Sequence, residues 1–200
     1  MKKWSLFVMS LTLVSICQSS FASAQTGFVV GMDMGADIPA GHSESEYGGD
    51  YKRAAYNLGI ILGYDYAINN KISLGVEAVP NTGGLNASSA GIGYLPIMLT
   101  TKFYPFKNGF NMFAKVGVAY LYGSGTFLET AAKDISRSWQ PTFAIGTGYQ
   151  YKRINFYVQY QYTQMNIAYK GNNFLSPEDY YKESYNGALN SILVGVAYTF

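Results

Sequence analysis

Five charged side chains stand where they could act together in a confined space: Asp33, Asp65, Glu77, Lys102 and Lys115. Each lies in a stretch where large apolar residues recur at every second position. Each occupies the alternate that the apolar residues leave free. Charges so placed face an enclosed interior, where an unpaired one is expensive. Two kinds of chemistry fit. The charges neutralise one another while filling the interior, or they line a gated, water-filled path in which pairs form and break. The narrowness of the interior, argued below, favours the first.

Other candidate chemistry is thin. His42 is the lone histidine, with Ser43, Asp50 and two glutamates near it, in a segment read as a glycine-rich loop that would hold no catalytic geometry. It is read as an exposed loop histidine, and no catalytic residue is assigned. One histidine and a single early cysteine give no transition-metal spacing, so neither a metal site nor a cofactor is expected. Gly146-Thr147-Gly148 sits within an alternating stretch with no helix after it, which excludes a phosphate loop.

The elements that must position the five charges repeat with a period of two. Strands are expected near 27–36, 54–66, 71–80, 92–104, 111–122, 140–151, 154–165 and 187–200. One face of all eight carries residues such as Phe28, Met32, Leu58, Ile60, Val76, Leu99, Val116, Ile145, Val158 and Val194, without a charge or a glycine. The other face holds the five charges, nine glycines from Gly31 to Gly195, and Asn57, Asn155, Gln159 and Gln161. Small and polar inside with apolar outside inverts a soluble barrel, in which the apolar face points inward. A lysine or arginine at a bilayer midplane costs about 2–4 kcal/mol, which accounts for the charge-free face. The fold class expected is all-β, an eight-stranded antiparallel up-and-down transmembrane β-barrel.

Connections alternate in length. Ile68-Asn69-Asn70, Pro105 to Phe110 and Lys152-Arg153 are tight turns, whereas 37–53, 81–91, 123–139 and 166–186 are longer and polar. An even strand number puts both ends of the chain on the short-turn rim, which would face the periplasm, with the long loops outside the cell.

The ends agree with export. Met1-Lys2-Lys3, an apolar run from Leu6 to Cys17, and Ala22-Ser23-Ala24 read as a signal peptide over 1–24, cleaved before Gln25, with the barrel domain over 25–200. Cleavage removes Lys2, Lys3 and Cys17. The 14 basic residues then fall to 12, matching the 12 acidic ones, and no thiol remains. A neutral chain of this kind argues against a nucleic-acid partner and against a disulfide framework. Tyrosine and glycine are abundant, at 19 and 22 residues. So many phenols suit a water–lipid interface, where the ring sits among chains and the hydroxyl stays wet.

Leu95 to Tyr104, Phe113 to Tyr120, Pro141 to Tyr162 and the C-terminal strand ending on Val196, Tyr198 and Phe200 resemble the eight-stranded outer-membrane barrels. That group includes the OmpA membrane domain and opacity-type surface antigens. The resemblance implies a cell outer-membrane location, lipid and lipopolysaccharide as surroundings, and the barrel-assembly machinery as the reader of the terminal strand. Many relatives continue into a peptidoglycan-binding domain; this chain stops at the barrel, so cell-wall anchoring is not implied. Barrel enzymes that modify lipids use a histidine and a serine near the outer rim, and no His-x-Ser pair occurs on the late strands here. The expectation is therefore a monomeric, non-catalytic surface protein supporting envelope integrity and adhesion. Its Tyr-, Ser-, Asn- and Gly-rich loops would contact a host-surface ligand. A narrow small-solute pore and a lipid-modifying enzyme are the alternatives.

Overall fold

The structure, a computed structural model, describes residues 23–44, 54–83, 85–86, 91–124, 139–173 and 176–200. Its strands are β1 (Gly27–Glu44), β2 (Ala55–Asn69), β3 (Ile72–Ala78), β4 (Leu85–Asn86), β5 (Gly91–Phe103), β6 (Phe110–Ser124), β7 (Trp139–Tyr151), β8 (Ile154–Asn173) and β9 (Ser176–Thr199). The two residues of β4 only extend the upper end of β5. The other eight strands pair antiparallel around a ring, closed where β9 returns to β1 and continuous where β3 meets β5. This is the eight-stranded up-and-down barrel expected from the alternation.

The short turns form as their residues dictate. Asn69 Oδ1 accepts from the amides of Lys71 and Ile72 at 2.8 and 3.0 Å, an Asx arrangement that reverses the chain. Asn108 Oδ1 accepts from Phe110 N, beside Gly109 at φ 94°, where a side chain would be strained. Lys152 takes φ 55° in the tight β7–β8 turn. Of the expected signal peptide, only Ser23 and Ala24 are described. They rest at this rim, where Ala24 N donates to Asn70 O and Gln150 Nε2 to Ser23 O.

The opposite rim departs from the expectation. The segment 166–186, expected as a loop, is mostly a paired hairpin extension, with β8 meeting β9 as far as Asn172↔Tyr180 and Asn173↔Ser176. β1 likewise runs on to Glu44↔Ser184 instead of ending near 36, which places the backbone of His42 in a strand opposite Asn186. About 9–11 tilted residues cross a bilayer. The 24 residues of β9 and 20 of β8 therefore rise well beyond it, whereas β2 has 15. In contrast, β3 stops at Ala78 rather than at 80. Pro80 has no amide to give, although its carbonyl accepts from Ile60 N, and Val79 N and Asn81 N donate to Pro96 O and Tyr94 O, so the wall stays closed there. Most of the loops expected at 37–53, 81–91 and 123–139 lies outside the described residues.

The charge-free face is the outer surface: Leu99, Val116 and Ile145 are all more than half exposed. Aromatic residues bound it at both levels. Phe28 against Tyr64 and Tyr198 against Phe200 lie near the short turns; Tyr120 against Trp139 and Phe143 stacked on Tyr162 lie toward the long loops. Two girdles flanking an apolar band are the arrangement that a lipid bilayer selects.

The interior differs from the small and polar lining expected. Val29, Ile61, Met98, Leu121, Leu193 and Met165 all point inward and are essentially inaccessible. A wall of eight strands encloses a space that side chains must fill, and polar groups alone could not satisfy one another at that density.

A lipid-facing midplane position should reject charge, and one at the rim should tolerate it. Replacing Ile145 by lysine should lower the unfolding free energy in lipid vesicles by about 2–4 kcal/mol, and replacing Trp139 by lysine by about 0–1 kcal/mol. Urea titration of the two variants measures the difference.

Candidate lumen network

The interior polar groups are joined by bonds that skip one strand. Lys102 on β5 pairs with Asp65 on β2, past β3. Lys115 on β6 pairs with Glu77 on β3 at 2.5 Å, past β5, as a charge contact whose angle lies outside hydrogen-bond geometry. Tyr157 on β8 donates to Asp33 Oδ2 on β1 at 3.1 Å, past β9. Asn111 on β6 donates to Asn155 Oδ1 on β8 at 2.9 Å, past β7. Strand tilt brings the interior residues of second neighbours to one height, and the short diameter lets their side chains meet.

Three of these links pass over glycines of the strand they cross. A Cβ on Gly75 of β3 would collide with Asp65 Oδ1, one on Gly195 of β9 with the Tyr157 ring, and one on Gly148 of β7 with Asn155 and Asn111. These three inward glycines thus give clearance to side chains reaching between their neighbours, whereas a Cβ on Gly31, Gly35 or Gly117 would first meet a carbonyl of the adjacent strand.

All five charges singled out in the sequence lie in the interior, four of them in two ion pairs. Asp33 joins through Tyr157, whose ring packs edge-on against Phe113 at 5.7 Å. The Lys115 ammonium lies 5.0 Å from the Phe113 ring centroid and 5.3 Å from that of Tyr157, so aromatic faces supplement its carboxylate. A cavity of only about 20 Å³ remains beside Glu77, Lys102, Lys115 and Tyr157, about the space of one water. Asp33 Oδ1 and both side-chain polar atoms of Asn81 are buried without a hydrogen-bond partner among the described residues.

Sequence reasoning missed the cluster toward the long-loop end. Fully buried Tyr94 on β5 accepts from Asn57 Nδ2 at 2.8 Å, donates to Asp37 Oδ1 at 3.3 Å, and reaches Ser191 Oγ on β9, across the whole ring, at 3.2 Å. Asp37 had been assigned to a loop, yet it continues the inward odd-numbered positions of β1; following that parity two more steps would have found it. At the other end Tyr104 OH donates to Gln150 Oε1 at 2.6 Å. Burial, with Asp65 nearby, holds the Tyr104 phenol above the usual range, so it stays a neutral donor.

The terminal strand places Tyr198 and Phe200 outward and edge to face, with Phe200 N donating to Phe28 O. Val196 lies opposite Met32 of β1 and Phe156 of β8. The side chain of His42 is not among those described. Among the described residues no group of three potential metal ligands converges.

No protein-family model and no curated protein matches the sequence. Solved structures share its shape. The outer membrane protein OprG from Pseudomonas aeruginosa aligns over 91% of this chain and 99% of its own at 17% identity and a TM-score of 0.59. The outer membrane protein AlkL, solved in lipid bilayers, aligns over 91% and 93% at 15% identity and a TM-score of 0.50. The fold is that of the outer-membrane β-barrels.

Lys115→Met leaves Glu77 buried without its cation and should cost about 3–5 kcal/mol in urea unfolding, less where water enters. Glu77→Gln in the same chain should restore part of the loss. Strict additivity of the two changes would contradict the pairing.

Proposed function

We propose that this barrel sits in the Gram-negative outer membrane as a non-catalytic surface protein. In this reading the wall and lumen serve envelope integrity, and specific contact, including adhesion to a host-surface ligand, belongs to the long-loop rim. The observation that supports this is the filled lumen. From Tyr94 at one end to Tyr104 at the other, ion pairs and hydrogen bonds cross the lumen among buried apolar side chains, and the gap beside Glu77 and Lys115 holds about one water, so solute traffic would require several linked groups to part together. That weighs against the small-solute pore. The lipid-modifying enzyme lacks a histidine–serine pair on the late strands.

Asymmetry of the rims points the same way. Among the described residues the β1–β9–β8 side extends furthest, as a paired ribbon that could hold contacts clear of the lipid surface. Surface positions held by a stiff scaffold are where binding is usually found. In this reading the strand ending on Val196, Tyr198 and Phe200 serves as the assembly signal, and the barrel acts as a monomer.

Two measurements check the proposal. Planar-bilayer recordings should show no steady unit conductance from the intact barrel, and stable channel openings would favour the pore. Deletion of residues 170–182 should remove cell binding while leaving the heat-modifiable gel shift of the folded barrel intact; binding unchanged by this and by each other loop deletion would overturn the contact function.

A further inference from the structure

The short-turn rim carries charge of one sign. Lys71 follows the β2–β3 turn, Lys107 lies in the β5–β6 turn, and Lys152 and Arg153 form the β7–β8 turn; all four are exposed, and no carboxylate side chain lies on these turns. The segments 44–53, 129–137 and 170–183, by contrast, mix acids with bases. A chain with 12 acidic residues has therefore kept every one of them off these three turns.

Two of the cations flank a built feature. Because β3 and β5 are neighbours, their turns lie side by side, tied by Tyr104 N donating to Lys71 O at 2.7 Å. Between them is a groove of about 380 Å³ lined by Ser23, Asn70, Lys71, Tyr104, Pro105, Phe106 and Lys107; cleavage before Gln25 would remove Ser23 alone from this lining and leave both lysines and both aromatic residues. Phe106 is 62% exposed and tilts against Phe110 at 6.4 Å, which gives the groove an apolar lip toward the lipid-facing wall. Two ammonium groups lining one groove, with an exposed aromatic lip beside them, match an anionic headgroup whose acyl chains run down the barrel's outer face.

We propose that the short-turn rim binds anionic phospholipid, with the Lys71–Lys107 groove as its principal headgroup site and Lys152 and Arg153 as a second contact further round the ring. The inference rests on the reading under Proposed function that the long-loop rim faces outward, which would turn this rim to the phospholipid leaflet on the periplasmic side. Each cation close to an anionic lipid surface contributes roughly five-fold to binding, and the effect fades within a Debye length. The phosphodiester takes charge-assisted bonds from the two ammoniums, and Asn70 offers an amide to the glycerol.

The test uses the isotope-labelled mature barrel in neutral micelles, titrated with short-chain phosphatidylglycerol, short-chain phosphatidylcholine or inorganic phosphate. Backbone amides of 69–71 and 106–109 should shift with phosphatidylglycerol at a half-saturating concentration at least five-fold below that of phosphatidylcholine. Lys71→Gln with Lys107→Gln should abolish the difference, and Lys52→Gln with Arg53→Gln should leave it. Raising salt from 50 to 500 mM should weaken the preference of the unaltered barrel, a readout that needs no variant to fold. Equal response to the two lipids, an equal response to phosphate alone, or a preference indifferent to salt and to the rim substitutions would each overturn the proposal. Membrane fractionation of cells reads the location separately: a barrel found elsewhere overturns the orientation, and the micelle titration still decides the headgroup preference.

Discussion

The interior of an eight-stranded barrel is only as wide as the side chains that face into it, and the remaining features of this chain follow from that width. Long inward side chains can therefore reach past the neighbouring strand. Lys102, Lys115, Tyr157 and Asn111 each do so to meet a partner two strands away. Gly75, Gly195 and Gly148 stand under three of those links and leave room for them. Charge, glycine and aromatic ring are parts of one packing solution. The apolar fill of Val29, Ile61, Met98 and Leu193 completes it where polar partners run out.

The same width sets what the molecule is suited to do. In the reading proposed above, contacts across the lumen oppose passage through it, and the two rims are then the places where specificity would reside. They are built differently. One consists of tight, basic turns at the level of an aromatic girdle. The other is uneven, with β1, β9 and β8 continuing as a ribbon past the height that lipid requires. A basic, low rim suits a phospholipid surface, and a tall, mixed-charge rim suits contact with something beyond the membrane.

Most of the wall was legible in the sequence because lipid enforces strict alternation. Phe28 to Met34, Tyr56 to Tyr66 and Ile192 to Phe200 each reveal their facing by parity alone. Legibility failed where that selection lapses. Residues 166–186 carry no consistent apolar alternate, so they read as a loop although the backbone pairs as strands over most of the segment. Asp37 is hidden for a related reason: Pro39 and Gly41 interrupt the pattern just beyond it, so the sequence shows no strand running past 36 although β1 does. Pairings such as Tyr94 with Ser191 depend on tilt and on which heights coincide across the ring, which no local pattern encodes.

If the glycines are clearances for links across the lumen, the cost of filling one must depend on the side chain passing over it. Unfolding free energies of Gly195→Val, measured with Tyr157 present and in a Tyr157→Leu background, test this directly. With Tyr157 present the valine should cost about 1–3 kcal/mol by overpacking, and in the leucine background most of that penalty should vanish. The same penalty in both backgrounds would mean that Gly195 answers only to its own strand, and the account of the lumen would be contradicted.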